Sequence, residues 1–286
     1  MTEQMLVPEF FSLSHFEAAA AEVRARVSLQ PRVGLILGSG LNPLADAVED
    51  SVTVLYNEIP HFPATTVEGH SGRLVLGHLE GQPVAVMQGR AHYYEGYSMA
   101  QVTFPVRVMQ VLGIEVLVVT NAAGGLDQEH RPGDVMLITD HINLIGMGGL
   151  NPLRGPNLDE FGPRFPDMSE PYDIGLQQLA RQTAAGAGIT LREGIYVCLA
   201  GPSFETPADL RFLRTIGTDA VGMSTVPEVI VARHGGTRVL ALSGISNVAP
   251  IEGVAAAETT HEEVLEAGRV LVPRMETIIR GVLKAL

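Results

Sequence analysis

The stretch Met87-Gln-Gly-Arg-Ala-His-Tyr-Tyr-Glu-Gly-Tyr97 holds a fixed cation, Arg90, a neutral donor, His92, and a polar aromatic, Tyr94, at alternating positions. In extended backbone those three side chains point the same way. The planar guanidinium fork matches an oxyanion, and an imidazole can donate a hydrogen bond beside it. Gly89 and Gly96 let the chain turn away at either end. The expectation is half of an anion site.

Other short stretches could complete it. Gly38-Ser39-Gly40 precedes Asn42-Pro43, a plausible helix start, so backbone donors and a hydroxyl could hold a phosphate there. Thr120-Asn-Ala-Ala-Gly-Gly125 is a run of small residues that lets a ligand approach main-chain N–H groups, among them that of Ala122. Val221-Gly-Met-Ser-Thr-Val-Pro227 offers Ser224 at a helix start and Met223 as an adaptable apolar surface. In Ala200-Gly-Pro-Ser-Phe-Glu-Thr-Pro207, Phe204 could stack on a flat ring, and Glu205 could accept hydrogen bonds from its N–H edge. Asn247 carries both a donor and an acceptor, which suits a heterocycle edge such as purine N7 and O6. His261 falls at the start of the last helical pattern. Taken singly, each stretch also reads as ordinary structure: a tight turn, a helix-start charge, a core methionine or a surface histidine.

Several chemistries are excluded. The Gly38 turn lacks the third glycine of a dinucleotide fingerprint, and no Gly-Lys-Ser/Thr follows a glycine-rich loop. Leu37 and Leu41 stand where a hydrolase elbow around Ser39 needs glycines. The nine histidines are scattered without ligand spacing, so no metal is expected. Cys198 is the single cysteine and cannot form an internal disulfide; its apolar neighbours suggest a buried thiol and a reducing, cytoplasmic setting. A formal charge of −13 argues against nucleic-acid and anionic-membrane partners, and means that local donors must hold any anionic substrate. No apolar run approaches a membrane span, and the first eight residues lack a signal-peptide pattern.

The elements that must position these residues alternate. Arg32–Leu37, Pro83–Met87, Val116–Thr120 and Val239–Ser243 read as buried strands. Helical patterns run over Phe16–Val27, Met99–Leu112, Tyr172–Ala185, Asp209–Ile216, Pro227–His234 and His261–Leu283. Thr206-Pro-Ala-Asp209, Thr225-Val-Pro-Glu228 and Thr260-His-Glu-Glu263 fit the capping box. The expected fold is α/β, a single domain over residues 1–286 with a largely buried sheet. The Gly- and Pro-rich stretch from Gly146 to Pro171 is long for a loop and carries Phe161, Arg164 and Phe165, which suits a lid or an interface segment.

In this order the motifs closely resemble the trimeric purine nucleoside phosphorylase family, the branch acting on inosine and guanosine. The resemblance rests on Gly38-Ser-Gly-Leu41, Gly69-His-Ser-Gly-Arg73, Gln88–Tyr97, Thr120–Gly125, Asn151-Pro-Leu-Arg-Gly-Pro156, Ala200–Thr206, Val221–Val229 and His261-Glu-Glu-Val264, and spans nearly the whole chain. It implies a central mixed, partly barrel-like sheet flanked by helices, and a homotrimer. It also implies a phosphate site of Ser39, Arg90, His92, the main chain at Ala122 and Ser224, with His70 on a loop that closes over it. Tyr94 and His261 match ribose-binding positions, Met223 lies beneath the sugar, and Phe204, Glu205 and Asn247 match the purine site. Phe165 matches a phenylalanine that the family inserts into the neighbouring subunit's site. The roles that act in the reaction fall to Asn247, Glu205, His92 and His261. The sequence departs from the family at Ala91, where some members carry an aromatic, and at Val248-Ala-Pro250 after Asn247.

The implied reaction is phosphorolysis, with inorganic phosphate as co-substrate and no cofactor. Three other readings compete. A methylthioadenosine phosphorylase would use acidic side chains to meet a 6-amino group, a silent purine sensor need not keep Arg90, His92 and Ser39, and a nicotinamide dehydrogenase lacks its fingerprint here.

Overall fold

In the computed structural model the described residues are 10–38, 40–67, 71–249 and 261–286, with backbone alone for 261–267. Among these residues nine strands form one sheet: β1 (Val33–Leu37), β2 (Glu49–Leu55), β3 (Arg73–Leu79), β4 (Gln82–Gln88), β5 (Val116–Gly125), β6 (Val135–Ile142), β7 (Leu191–Cys198), β8 (Ala220–Gly222) and β9 (Arg238–Val248). Their spatial order is β2-β3-β4-β1-β5-β8-β7-β6-β9, and β9 pairs back onto β5. The strands from β5 to β9 therefore close into a small barrel, while β1 to β4 extend from it as an open wing. The sheet is mixed: β1 lies parallel to β4 and β5, and β5 parallel to β9, whereas β3 is antiparallel to both its neighbours.

Among the described residues, seven helices flank this sheet: α1 (Leu13–Arg24), α2 (Asn42–Asp46), α3 (Met99–Leu112), α4 (Ile174–Gly186), α5 (Pro207–Thr215), α6 (Val226–His234) and α7 (His261–Ala285). The caps explain several boundaries. Ser98 accepts from the Gln101 N–H at 3.3 Å while Gln101 accepts from the Ser98 N–H at 2.9 Å, and Gly113 ends α3 with φ of 113°. The capping box at Thr206 also forms, Asp209 answering the Thr206 N–H at 2.9 Å. Thr260 lies outside the described residues.

One face of the sheet packs on α1, α3 and α6 through a layer that includes Phe104, Met109, Ile36 and Val229; the other packs on α4 and α7 through Leu35, Val118, Leu242 and Ile278. Phe104 is the keystone between α1 and α3. Its ring lies 4.6 Å from that of Phe11 and 4.9 Å from that of Phe16, and it is fully buried. Aromatic contacts of this geometry add to the burial of apolar area.

The four expected strands are present, and β5 and β9 extend well beyond the expected runs, to Gly125 and Val248. Those extensions carry the small residues and Asn247 inside the sheet. The stretch from Gly146 to Pro171 holds one wide helical turn, Gly146–Leu150, and is otherwise irregular. Its far end folds back on itself, Arg164 donating to the Leu153 and Gly155 carbonyls at 3.0 and 2.9 Å. Among the described residues no helix is long and apolar enough to cross a membrane. Phe104→Ala is expected to lower unfolding stability by about 3–5 kcal/mol through cavity formation, measured as a shift in the denaturant midpoint at unchanged slope.

Candidate active site

The site gathers around Arg90, which emerges from the end of β4 and is 3% exposed. Its Nη2 donates to the Ile36 carbonyl at 3.2 Å and to the Thr120 carbonyl, tying the carboxyl end of β1 to the middle of β5. Its Nη1 donates to Ser224 Oγ at 3.1 Å, Thr225 Oγ1 at 3.2 Å and Glu228 Oε2 at 3.2 Å. Glu228 is 2% exposed, so this is a buried ion pair on the first turn of α6. The same carboxylate accepts from the Thr225 N–H at 3.0 Å. Thr225 sits at φ of 74°, a costly conformation for a β-branched residue, and is held there by these bonds and by Asn121 Nδ2, 2.8 Å from its hydroxyl. The Thr225-x-x-Glu228 pattern thus does more than cap a helix. It balances the charge of Arg90 and fixes Ser224 at a helix N-terminus, where the dipole favours an anion.

The structure corrects one expectation in this segment. Arg90, His92 and Tyr94 do not run on as an extended row, because Tyr93–Glu95 forms a tight helical turn that begins directly after His92. Gly89 and Gly96 do provide the bends, with φ of 94° and 96°. Tyr94 stacks on the His92 ring instead, centroids 4.8 Å apart and planes 14° apart. Glu95 accepts from the His92 N–H at 2.7 Å and lies 3.0 Å from His92 Nδ1, and it also accepts from Thr66. Burial opposes ionisation of Glu95, but the bonds from His92 and Thr66 outweigh it and bring the carboxyl down to about 2. It is therefore a carboxylate at neutral pH, and it orients the imidazole through Nδ1.

Asn121 lies next to Ala122 and is held by Ser243, whose hydroxyl donates to its Oδ1 at 2.8 Å. Ala122 pairs with Gly244, and Asn247 sits opposite Gly124 two residues further along the same ladder. Ser246 Oγ lies 2.9 Å from Asn247 Oδ1 and donates there, which sets the orientation of the amide. The unusual Val248-Ala249 segment does not pull Asn247 from the sheet. Val248 still pairs with Gly125, and the Ala249 N–H donates to the Gly125 carbonyl at 2.8 Å.

Met223, next to Ser224, packs beside Gly201 and Tyr94, so closely that a side chain at Gly201 would run into its sulfur. Gly201 opens the segment leading to Phe204 and Glu205. Phe204 is 55% exposed, and Glu205 is half-buried. Burial raises the Glu205 carboxyl; its own backbone N–H opposes this, and Asp209 adds to it. The structure thus links Arg90, His92, Tyr94, the main chain at Ala122, Met223 and Ser224 directly or through one neighbour, with Asn247 on the adjoining strand end and Glu205 on the adjoining segment. Phe165 stands apart, 89% exposed at the end of its loop. Ser39, His70 and the His261 side chain lie outside the described residues.

Three partners were not read from sequence as part of the site: Glu228, expected only as a helix cap, Glu95 and Asn121. The first two carried a visible signal, an acidic residue three positions after Thr225 and after His92. Asn121 had none beyond its place at a strand end.

A cation, a hydroxyl and a helix N-terminus at the carboxyl ends of strands can hold a small oxyanion. A nearby amide, carboxylate and exposed aromatic can recognise a flat polar heterocycle. Comparison with known proteins agrees with this chemistry. Residues 32–284 match the model of the phosphorylase superfamily. Purine nucleoside phosphorylase 1 of Bacillus subtilis (strain 168) is 58% identical over 250 residues, covering 87% of this chain and 90% of that protein. Two solved structures of Schistosoma mansoni purine nucleoside phosphorylase superpose with TM-scores of 0.92. The complex with inosine is 43% identical and covers 96% of this chain and 97% of that one; the complex with adenosine is 42% identical and covers 96% and 98%. The chain belongs to the phosphorylase superfamily and, within it, to the purine nucleoside phosphorylases.

Glu228→Gln is expected to leave the Arg90 charge uncompensated in the core and to cost about 3–5 kcal/mol of unfolding stability, read from denaturant titration.

Proposed function

We propose that this protein catalyses the reversible phosphorolysis of inosine and guanosine, and of their 2′-deoxy forms, giving the free purine and ribose 1-phosphate for purine salvage. The observation that carries this reading is the Arg90–Ser224 pair at the N-terminus of α6, adjoining the strand end that bears Asn247. Phosphate is held by Arg90, Ser224, the Ala122 main chain and His92, joined by Ser39 and by His70 on its closing loop. Tyr94, His261 and Met223 meet the ribose, and Phe204 and Glu205 meet the base.

Phosphate attacks C1′ from the face opposite the base as the bond from C1′ to N9 breaks, and that bond's electron pair leaves on the purine. The sugar passes through an oxocarbenium-like state and inverts. Positioning phosphate beneath C1′ removes much of the entropic cost of the encounter. Ser246 fixes Asn247 Oδ1, so Nδ2 is the end of the amide presented as donor to N7. That bond strengthens as charge grows on the leaving base.

Glu205 selects the base. A 6-oxopurine carries N1–H, which a carboxylate accepts, whereas adenine presents a lone pair there and is repelled. Half-burial of Glu205 supports this role, because a mismatch costs more away from water. The S. mansoni protein has been solved with both inosine and adenosine, so turnover rather than binding is the discriminating measurement.

A homotrimer follows the same reading, with Phe165 entering the neighbouring subunit's nucleoside site. Its support is the near-complete exposure of Phe165, together with Met147 at 75%, since large apolar side chains in solvent mark contact surfaces. The setting is cytoplasmic.

The test is inosine turnover with and without inorganic phosphate, following hypoxanthine and ribose 1-phosphate. Both products are expected only when phosphate is present, and base release without phosphate would identify a hydrolase instead. Glu205→Ala is expected to erase most of a preference for inosine over adenosine of roughly 10⁴-fold; intact selectivity in that variant refutes its role.

A further inference from the structure

The most unusual charge outside this site is Arg107. It lies on α3, is 4% exposed, and has no carboxylate partner among the described residues. Burial brings its guanidinium down to about 10, so it remains a cation at neutral pH while surrounded by neutral groups. Nη1 donates to Gln110 Oε1 at 3.0 Å, and Nη2 lies 2.6 Å from His234 Nδ1. An arginine can only donate, so His234 Nδ1 must be the acceptor, which leaves the ring proton on Nε2. That Nε2–H donates to the Pro163 carbonyl at 3.0 Å. The guanidinium also lies over the Phe161 ring, 4.3 Å from its centroid, and that ring meets Phe16 edge-on at 5.8 Å.

These contacts fall on consecutive residues of one loop. Phe161 is clasped by Arg107. Gly162 is pressed against the His234 carbonyl so closely that a side chain there would collide with it, and its own carbonyl accepts from Asn157 at 3.0 Å. Pro163 is bonded to His234, and Arg164 is tied to Leu153 and Gly155. The next residue is Phe165, standing in solvent. We propose that Arg107 and His234 are positioning residues for the nucleoside site: the relay from Arg107 through His234 to Pro163 fixes the root of the loop that carries Phe165, and so governs how that ring encloses a neighbouring subunit's nucleoside. This rests on the role given to Phe165 above.

The relay is also sensitive to protons. Burial, then the charge of Arg107, hold the His234 imidazole below its ordinary range; the Pro163 and Gly162 backbone groups oppose this, and the loop's Arg164 adds to it. The charges acting on it from α3 and from the loop are thus both cationic. The neutral ring is the stable form at neutral pH, and as pH falls through that lowered value Nδ1 ceases to accept from Arg107, while Nε2–H keeps its bond to Pro163. A proton on Nδ1 would then face Arg107 directly.

The experiment uses the full chain. KM and kcat for inosine at saturating phosphate are measured for the unsubstituted protein, Arg107→Met, His234→Gln, Phe165→Ala and the double variant R107M/F165A. Arg107→Met is expected to raise KM about tenfold with a much smaller change in kcat, and to raise it less than about twofold in the Phe165→Ala background. Glutamine offers an acceptor and a donor without titrating. His234→Gln is therefore expected to keep the neutral-pH KM and to lack an acid-side rise that the parent shows as the pH falls below the ordinary histidine range. An Arg107→Met effect of equal size in both backgrounds, or an acid rise in His234→Gln matching the parent, overturns the proposal.

A second readout stands apart from catalysis. The chain contains no tryptophan, so Phe165→Trp gives a single fluorescent reporter on the loop. Its emission is expected to shift on acidification and to lose that shift when combined with His234→Gln. An emission that ignores acid overturns the relay, even if R107M fails to fold. If the parent shows no phosphate-dependent turnover, or Phe165→Ala leaves KM unchanged, the functional reading fails while the tryptophan signal still reports on the relay.

Discussion

Burying an arginine is costly unless its charge is met and its donors are spent, and the organisation of this protein follows from how Arg90 achieves both. Glu228 supplies the charge; two main-chain carbonyls and two hydroxyls take the remaining donor capacity that the geometry shows. Those acceptors come from the end of β1, the middle of β5 and the turn into α6, so one side chain fixes three elements relative to a fourth, β4. The strained Thr225 turn persists because the same groups hold it on every side. Losing either charge would leave the other stranded at low dielectric, which makes the arrangement close to all-or-none.

This also reconciles an acidic protein with an anionic co-substrate. A net charge of −13 gives no long-range attraction. The site relies on fixed short-range donors and on the N-terminus of α6, both of which act within hydrogen-bond distance and do not depend on the global field.

Much of this was readable in advance, for identifiable reasons. Strands β1, β4, β5 and β9 are apolar because the sheet is covered on both faces, and such runs announce themselves. Strand β2 is mostly exposed, β7 opens on charged residues and β8 is three residues long, so none presents a comparable run. Within the site, Arg90, His92, Ser224 and Asn247 were recognisable from residue type beside glycines and strand ends. The tight turn at Tyr93–Glu95 was not, because alternation of residue types looks the same in a strand and in an irregular segment. The contact between Arg107 and His234 joins residues 127 positions apart, and no local pattern encodes it.

The closure of β9 onto β5 has one more consequence. A sheet that joins itself on one side keeps a free margin on the other, and among the described residues that margin is β2. Unpaired strand margins invite another chain to add on, the first step towards fibrous association. This one carries Glu49 and Asp50 at its start, and its register with β3 slips between Glu49 and Val52. Charge and irregularity together make this margin a poor template for strand addition.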